Sequence, residues 1–108
     1  MSGFQPADPV LDAIVQRLVE GFHPERIYLF GSHARGEAGA NSDYDLMVVL
    51  NASQIDRDHR ARLWSILWEA GSAADVILIP RERFERRSRV VCSLPSTVLR
   101  EGTLLYAA

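Results

Sequence analysis

The sequence predicts an α/β fold in which one small mixed β-sheet is flanked by helices. Three observations carry that expectation. Apolar residues recur at helical spacing near the N-terminus and again around Leu63, three short aliphatic runs stand apart from one another, and Gly or Pro punctuates most junctions. Helical and strand-like segments therefore alternate, the pattern of an α/β chain.

Pro9 opens the first helix, with Val10, Leu11, Ile14, Val15, Leu18 and Val19 on one stripe and Gly21 expected to close it. After a turn at His23 and Pro24, the aromatic and aliphatic run Arg26–Phe30 reads as a buried strand. The glycine-containing stretch from Gly31 to Ser42 is expected to hold a brief helix over Ser32–Glu37, and Tyr44–Leu50 is the second strand. A longer helix is expected over Ser53–Ala70, ended by Gly71, and a third strand over Ala74–Ile79, cut by Pro80. Arg81–Arg89 reads as a charged helix anchored inward by Phe84, with Glu82 and Arg86 as an i,i+4 pair. Ser93 is the expected N-cap of a helix with Pro95 in its first turn and Gly102 beyond its end, and Leu104–Tyr106 returns as a short edge strand. With no repeat or linker, residues 1–108 are expected to form a single domain.

Composition excludes several classes. The net charge is -2, from twelve basic residues, all arginine, against fourteen acids. Whole-molecule attraction to nucleic acid or to anionic lipid is therefore not expected, and any phosphate binding must be local. Without lysine there is no P-loop lysine, Schiff-base lysine or lysine nucleophile. The single cysteine, Cys92, makes neither an internal disulfide nor a multi-cysteine zinc site and is expected as a buried thiol. No apolar run has the ~18 residues of a membrane span, so a cytoplasmic protein without a membrane partner is expected.

The chemistry concentrates in Gly31-Ser32-His33-Ala34-Arg35-Gly36 and Ser42-Asp43-Tyr44-Asp45-Leu46, with Asp75 further on. Asp43 and Asp45 are two apart where a strand begins, so their side chains leave one face with Cα atoms roughly 6.5–7 Å apart. Carboxylates about 5 Å apart at an effective dielectric near 20 repel by about 3 kcal/mol, which a divalent cation would relieve. An isolated Asp-x-Asp is also compatible with a solvated turn, and Asp75 with a plain strand-end acid. All three acids meet Gly31 at one sheet edge if the first strand runs antiparallel to the second and the third runs parallel to it. Three hard oxygen donors suit Mg²⁺, and two ions about 3.5–4 Å apart can clamp an in-line phosphoryl or nucleotidyl transfer. Gly31-Ser32 at a strand-to-helix junction offers close backbone approach, amide hydrogens and a hydroxyl to a phosphate, with Arg35 on the same helix face; a turn with a cap and a surface arginine is the alternative.

The pattern Gly31-Ser32-x-Ala34-Arg35-Gly36, five residues, then Ser42-Asp43-x-Asp45-Leu46 resembles the signature of the minimal nucleotidyltransferases of the DNA polymerase beta superfamily. The terminal Arg100 to Tyr106 stretch resembles the end of such domains. The resemblance implies a polymerase beta palm-like sheet, Gly31, Ser32, Arg35 and Ser42 at the nucleotide, and Asp43 and Asp45 on two Mg²⁺ ions. It also implies Asp75 on the catalytic ion, helping to deprotonate an acceptor hydroxyl. His33 falls at a variable position of the pattern.

Short members of this family act beside helical HEPN ribonuclease toxins. The resemblance therefore implies an antitoxin that moves AMP from ATP onto a tyrosine of a HEPN-type partner. A non-catalytic binding module and an aminoglycoside-type small-molecule nucleotidyltransferase are the alternatives. The Arg81–Arg89 segment reads as a solvated helix face, the other reading being a basic patch for RNA or an acidic partner. On the long helix, Leu63, Trp64, Ile66, Leu67, Trp68 and Ala70 span an arc of roughly 200°, against the ~100° needed to cover a sheet face. Either other helices bury the excess or it forms a surface for a homo-oligomer or partner.

Overall fold

In a computed structural model, which describes residues 9–31, 44–71 and 74–108, the chain forms a four-stranded sheet with helices on both faces. The elements are α1 (Pro9–Phe22), β1 (Arg26–Phe30), β2 (Tyr44–Leu50), α2 (Arg57–Ala70), β3 (Ala74–Pro80), α3 (Arg81–Arg87), α4 (Leu94–Glu101) and β4 (Thr103–Ala107). The strand order is β3-β2-β1-β4. β1 lies antiparallel to β2 and β4, whereas β3 joins β2 in parallel after the α2 crossover, as expected of a parallel pair that cannot be closed by a tight turn.

Strand alternation divides the core. Ile27, Leu29, Leu46, Val48 and Leu50 face Leu11, Ile14 and Leu18 of α1, with Leu63 and Ile66 of α2 packed partly onto them. Tyr28, Met47, Val49 and Ile79 point the other way, onto Phe84 of α3 and Val98 of α4. Phe84 is the inward anchor expected of its charged helix: it is 1% exposed and its ring stacks on Tyr28 at 5.5 Å. Neither expected partner in the Glu82–Arg86 pair forms an ion pair among the described residues; α3 is tied down instead by Arg81–Glu25 at 4.0 Å and Arg26–Glu85 at 3.9 Å.

Helix boundaries depart from the sequence expectation where caps decide them. α2 starts at Arg57 rather than Ser53, because the Asp56 carboxylate accepts the His59 amide at 3.0 Å while His59 Nδ1 accepts the Asp56 amide at 3.2 Å, a reciprocal cap. Gly71 ends it with φ 64°. Gly21 does not end α1, which runs to Phe22 and gives way to His23 in the left-handed region at φ 48°. Gly21 instead lets α2 come close: a Cβ there would sit 2.7 Å from Ile66, and its carbonyl accepts from Arg62 at 3.2 Å. Ser93 is the N-cap of α4, accepting the Ser96 amide at 3.2 Å. Cys92 is exposed rather than buried, since it lies in the turn joining α3 to α4 and not on a helix or strand face.

Candidate active site

The register of three strands assembles the site. Phe30, the last residue of β1, is paired with Asp45 of β2, and Asp45 is paired with Asp75 of β3. At the ~4.8 Å spacing of hydrogen-bonded strands, the end of β1 and the two acids form a row across one end of the sheet. In-register neighbours of a parallel pair present side chains to the same face, here that of Met47, Val49 and Ile79. α3 and α4 cover that face at the far end, leaving Asp45 half-buried and Asp75 exposed.

Gly31 closes the row. Its φ is +75°, which favours glycine, and a Cβ placed on it would fall on the Asp45 carboxylate. The backbone leaving β1 therefore runs directly against that carboxylate, with no room for a side chain between them. Such close approach of main chain to a charged group is what a phosphate held between backbone amides and a cation requires.

Two carboxylates on adjacent strands repel each other, an interaction that solvent weakens at the exposed Asp75. They are hard oxygen donors of the kind Mg²⁺ takes, and among the described residues no third such side chain joins them in a metal-holding group. Of the residues singled out in the sequence, the structure brings together Gly31, Asp45 and Asp75. Ser32, Arg35, Ser42 and Asp43, the brief helix expected over Ser32–Glu37, and His33 lie outside the described residues.

A second feature was not legible in the sequence. On the other face of β3, a cleft of about 630 Å³ is lined by Val76 and Leu78, by Arg60 and Leu63 of α2, and by Arg83 and Arg86 of α3. Its walls come from separated segments, and only the charge of residues 81–89 hinted at it.

Comparison with known proteins identifies the family. The profile of the family described as nucleotidyltransferase domain matches residues 11–105. The chain belongs to that family and is a nucleotidyltransferase. A protein of Methanocaldococcus jannaschii provisionally named a protein adenylyltransferase is 32% identical over 83 residues, covering 76% of this chain and 78% of that one. Among solved structures, a toxin-antitoxin complex with AMP-PNP is similar with a TM-score of 0.63 and 26% identity, covering 90% of this chain and 73% of that chain. The fold also matches a complex of tri-AMPylated Shewanella oneidensis HEPN toxin with its MNT antitoxin, at TM-score 0.58 and 23% identity over 92% of this chain and 71% of that chain. No helix among the described residues is long and apolar enough to cross a membrane.

Proposed function

We propose that this chain transfers AMP from ATP to a tyrosine hydroxyl of a HEPN-type protein and neutralises that protein as an antitoxin. The observation that carries the reading is the Asp45–Asp75 register pair set against the left-handed Gly31. The adenylyltransferase name of the archaeal relative supports the nucleotide and reaction, and the toxin-antitoxin complexes support the partner.

Asp43, Asp45 and Asp75 would hold two Mg²⁺ ions, which when bound neutralise phosphate charge. Gly31 lets the main chain approach the terminal phosphates, while Ser32, Arg35 and Ser42 supply donors to the nucleotide. The acceptor oxygen attacks the α-phosphorus, the bond to the β-phosphate oxygen breaks, and pyrophosphate leaves. Asp75, exposed at the open edge, accepts the hydroxyl proton from an acceptor that arrives from solvent. Alignment of these groups, rather than a covalent enzyme intermediate, accounts for catalysis.

The test is transfer of label from α-labelled ATP, with Mg²⁺, to a co-expressed HEPN-type partner. Wild type is expected to label it, and Asp45→Asn and Asp75→Asn to label it at least 100-fold more slowly. Neutralisation that persists in both variants without labelling would identify a binding module. Label on an aminoglycoside, and none on protein, would identify a small-molecule enzyme.

A further inference from the structure

β3 is an edge strand whose outer side has no partner strand among the described residues. The cleft beside it has an apolar floor, Leu63, Val76 and Leu78, rimmed by Arg60, Arg83 and Arg86. Most other arginines that hold the fold together are engaged: Arg17 with Glu69, Arg26 with Glu85, Arg81 with Glu25, and Arg62 with the Gly21 carbonyl. The side chains of the three rim arginines have no ion-pair or hydrogen-bond partner among the described residues, and of those residues the only carboxylate lining the cleft is that of Glu82.

The helix forming one wall is itself undercovered. α2 buries none of its residues fully, and Trp64 and Trp68 are 68% and 76% exposed. Arg60 and Trp64 are four apart, hence neighbours on the helix surface, so the tryptophan pair stands beside the Arg60 rim of the cleft, outside its lining. Among the described residues, no other helix buries the excess apolar arc of this helix. Arginine around an apolar floor, with exposed tryptophan beside it, matches the residue types that dominate protein interfaces.

We propose that this cleft is the docking site for an acidic, apolar-faced segment of the protein acceptor; the proposal rests on the nucleotidyltransfer reading above. Three guanidinium groups against one carboxylate call for acidic side chains, and the apolar floor calls for aliphatic ones. RNA would leave that floor unmatched and would approach a chain of net charge -2. The position also suits the chemistry. β3 carries Val76 and Leu78 on the cleft side and Asp75 on the other, so a partner held along its free edge is one strand thickness from the acids.

The two tryptophans are the only ones in the chain, and Trp64, one helical turn from Arg60, reports on a segment seated at that rim. The probe is a synthetic helical peptide with leucines along one face flanked by glutamates, titrated while following tryptophan emission. Its lysine-flanked counterpart, a twelve-nucleotide single-stranded RNA and inorganic phosphate serve as comparators. The acidic peptide is expected to give a saturable change. Arg60→Gln/Arg83→Gln/Arg86→Gln should weaken it at least tenfold, and the triple glutamate variant should prefer the lysine peptide. Circular dichroism checks that both variants fold, and the milder glutamine set decides the matter if the reversal does not. No saturable response to the acidic peptide, unchanged affinity in the glutamine variant, tighter binding of RNA, or the same response to phosphate alone would each overturn the proposal.

Labelled-AMP transfer separates this from the parent reading. Cleft variants should raise the KM for the protein acceptor at least tenfold with little change in kcat. An unchanged KM sinks the docking site and leaves the activity standing. Peptide binding by a wild type that transfers nothing sinks the activity and leaves an acidic-segment cleft.

Discussion

Replacing Gly31 by alanine tests the junction between β1 and the acids. The residue has φ +75°, where a side chain costs about 1–2 kcal/mol relative to glycine. The added methyl would also fall on the Asp45 carboxylate, the far end of a flexible side chain that would have to swing aside. The expected stability loss is therefore modest: about 1–2 kcal/mol, or a Tm lower by roughly 5–10 °C for a domain of this size. Activity should suffer far more, because shifting a catalytic group by about 1 Å can cost about 100-fold in rate. Thermal melts and labelled-AMP transfer measured on the same preparation give both quantities. In an Asp45→Ala background the methyl meets no carboxylate, so the same glycine substitution should cost only its backbone share. A variant with more than a third of the transfer rate would refute the claim that main chain and carboxylate share this space, and a Tm within about 2 °C of wild type would refute the backbone cost at Gly31.

The other glycines rank by what surrounds them. Gly102→Ala would put a Cβ 2.5 Å from the Val98 carbonyl oxygen and 2.9 Å from that of Leu29, backbone atoms that cannot swing aside; a loss of about 2–3 kcal/mol is expected in urea titrations. Gly71→Ala meets nothing within 4 Å and should lose only about 1 kcal/mol, from its φ of +64°; the reverse order would contradict the packing described. Phe84→Ala removes a ring that is 1% exposed and should cost about 3–5 kcal/mol, whereas serine at exposed Trp64 or Trp68 should change stability by less than about 0.5 kcal/mol, both readable from denaturant midpoints. The backbone hydrogen bond from His59 holds the Asp56 carboxyl below its usual value of 3.8. Its contribution to stability is therefore complete above that value and is lost as pH falls through the lower folded one. Melts between pH 6 and about pH 2 should show a steeper acid loss in wild type than in Asp56→Asn, and parallel curves would remove the cap from the account.

Much of the scaffold is written locally. Arg26–Phe30 and Tyr44–Leu50 are strands at the boundaries that apolar runs between turn residues indicate, and Ser93, Pro95 and Gly102 bracket α4 because capping is decided by a few neighbouring atoms. The pairing of Asp45 with Asp75 was also accessible, since a helix between two strands favours a parallel crossover and puts their starts at one edge. The start of α2 was harder, because histidine took the reciprocal cap place where glutamate or glutamine is usual.

What sequence could not reach was coverage. Periodicity tells which residues share a face of α2, but whether Trp64 and Trp68 are buried depends on what lies across from them. Among the described residues nothing lies there. Likewise, Arg60, Arg83 and Arg86 come from two helices separated by β3, and their convergence on one cleft is a consequence of the α2 crossover rather than of any local spacing. Backbone preference and capping act over a few residues and can be read along the chain; burial and charge convergence depend on distances through space, which only the packed sheet and its helices set.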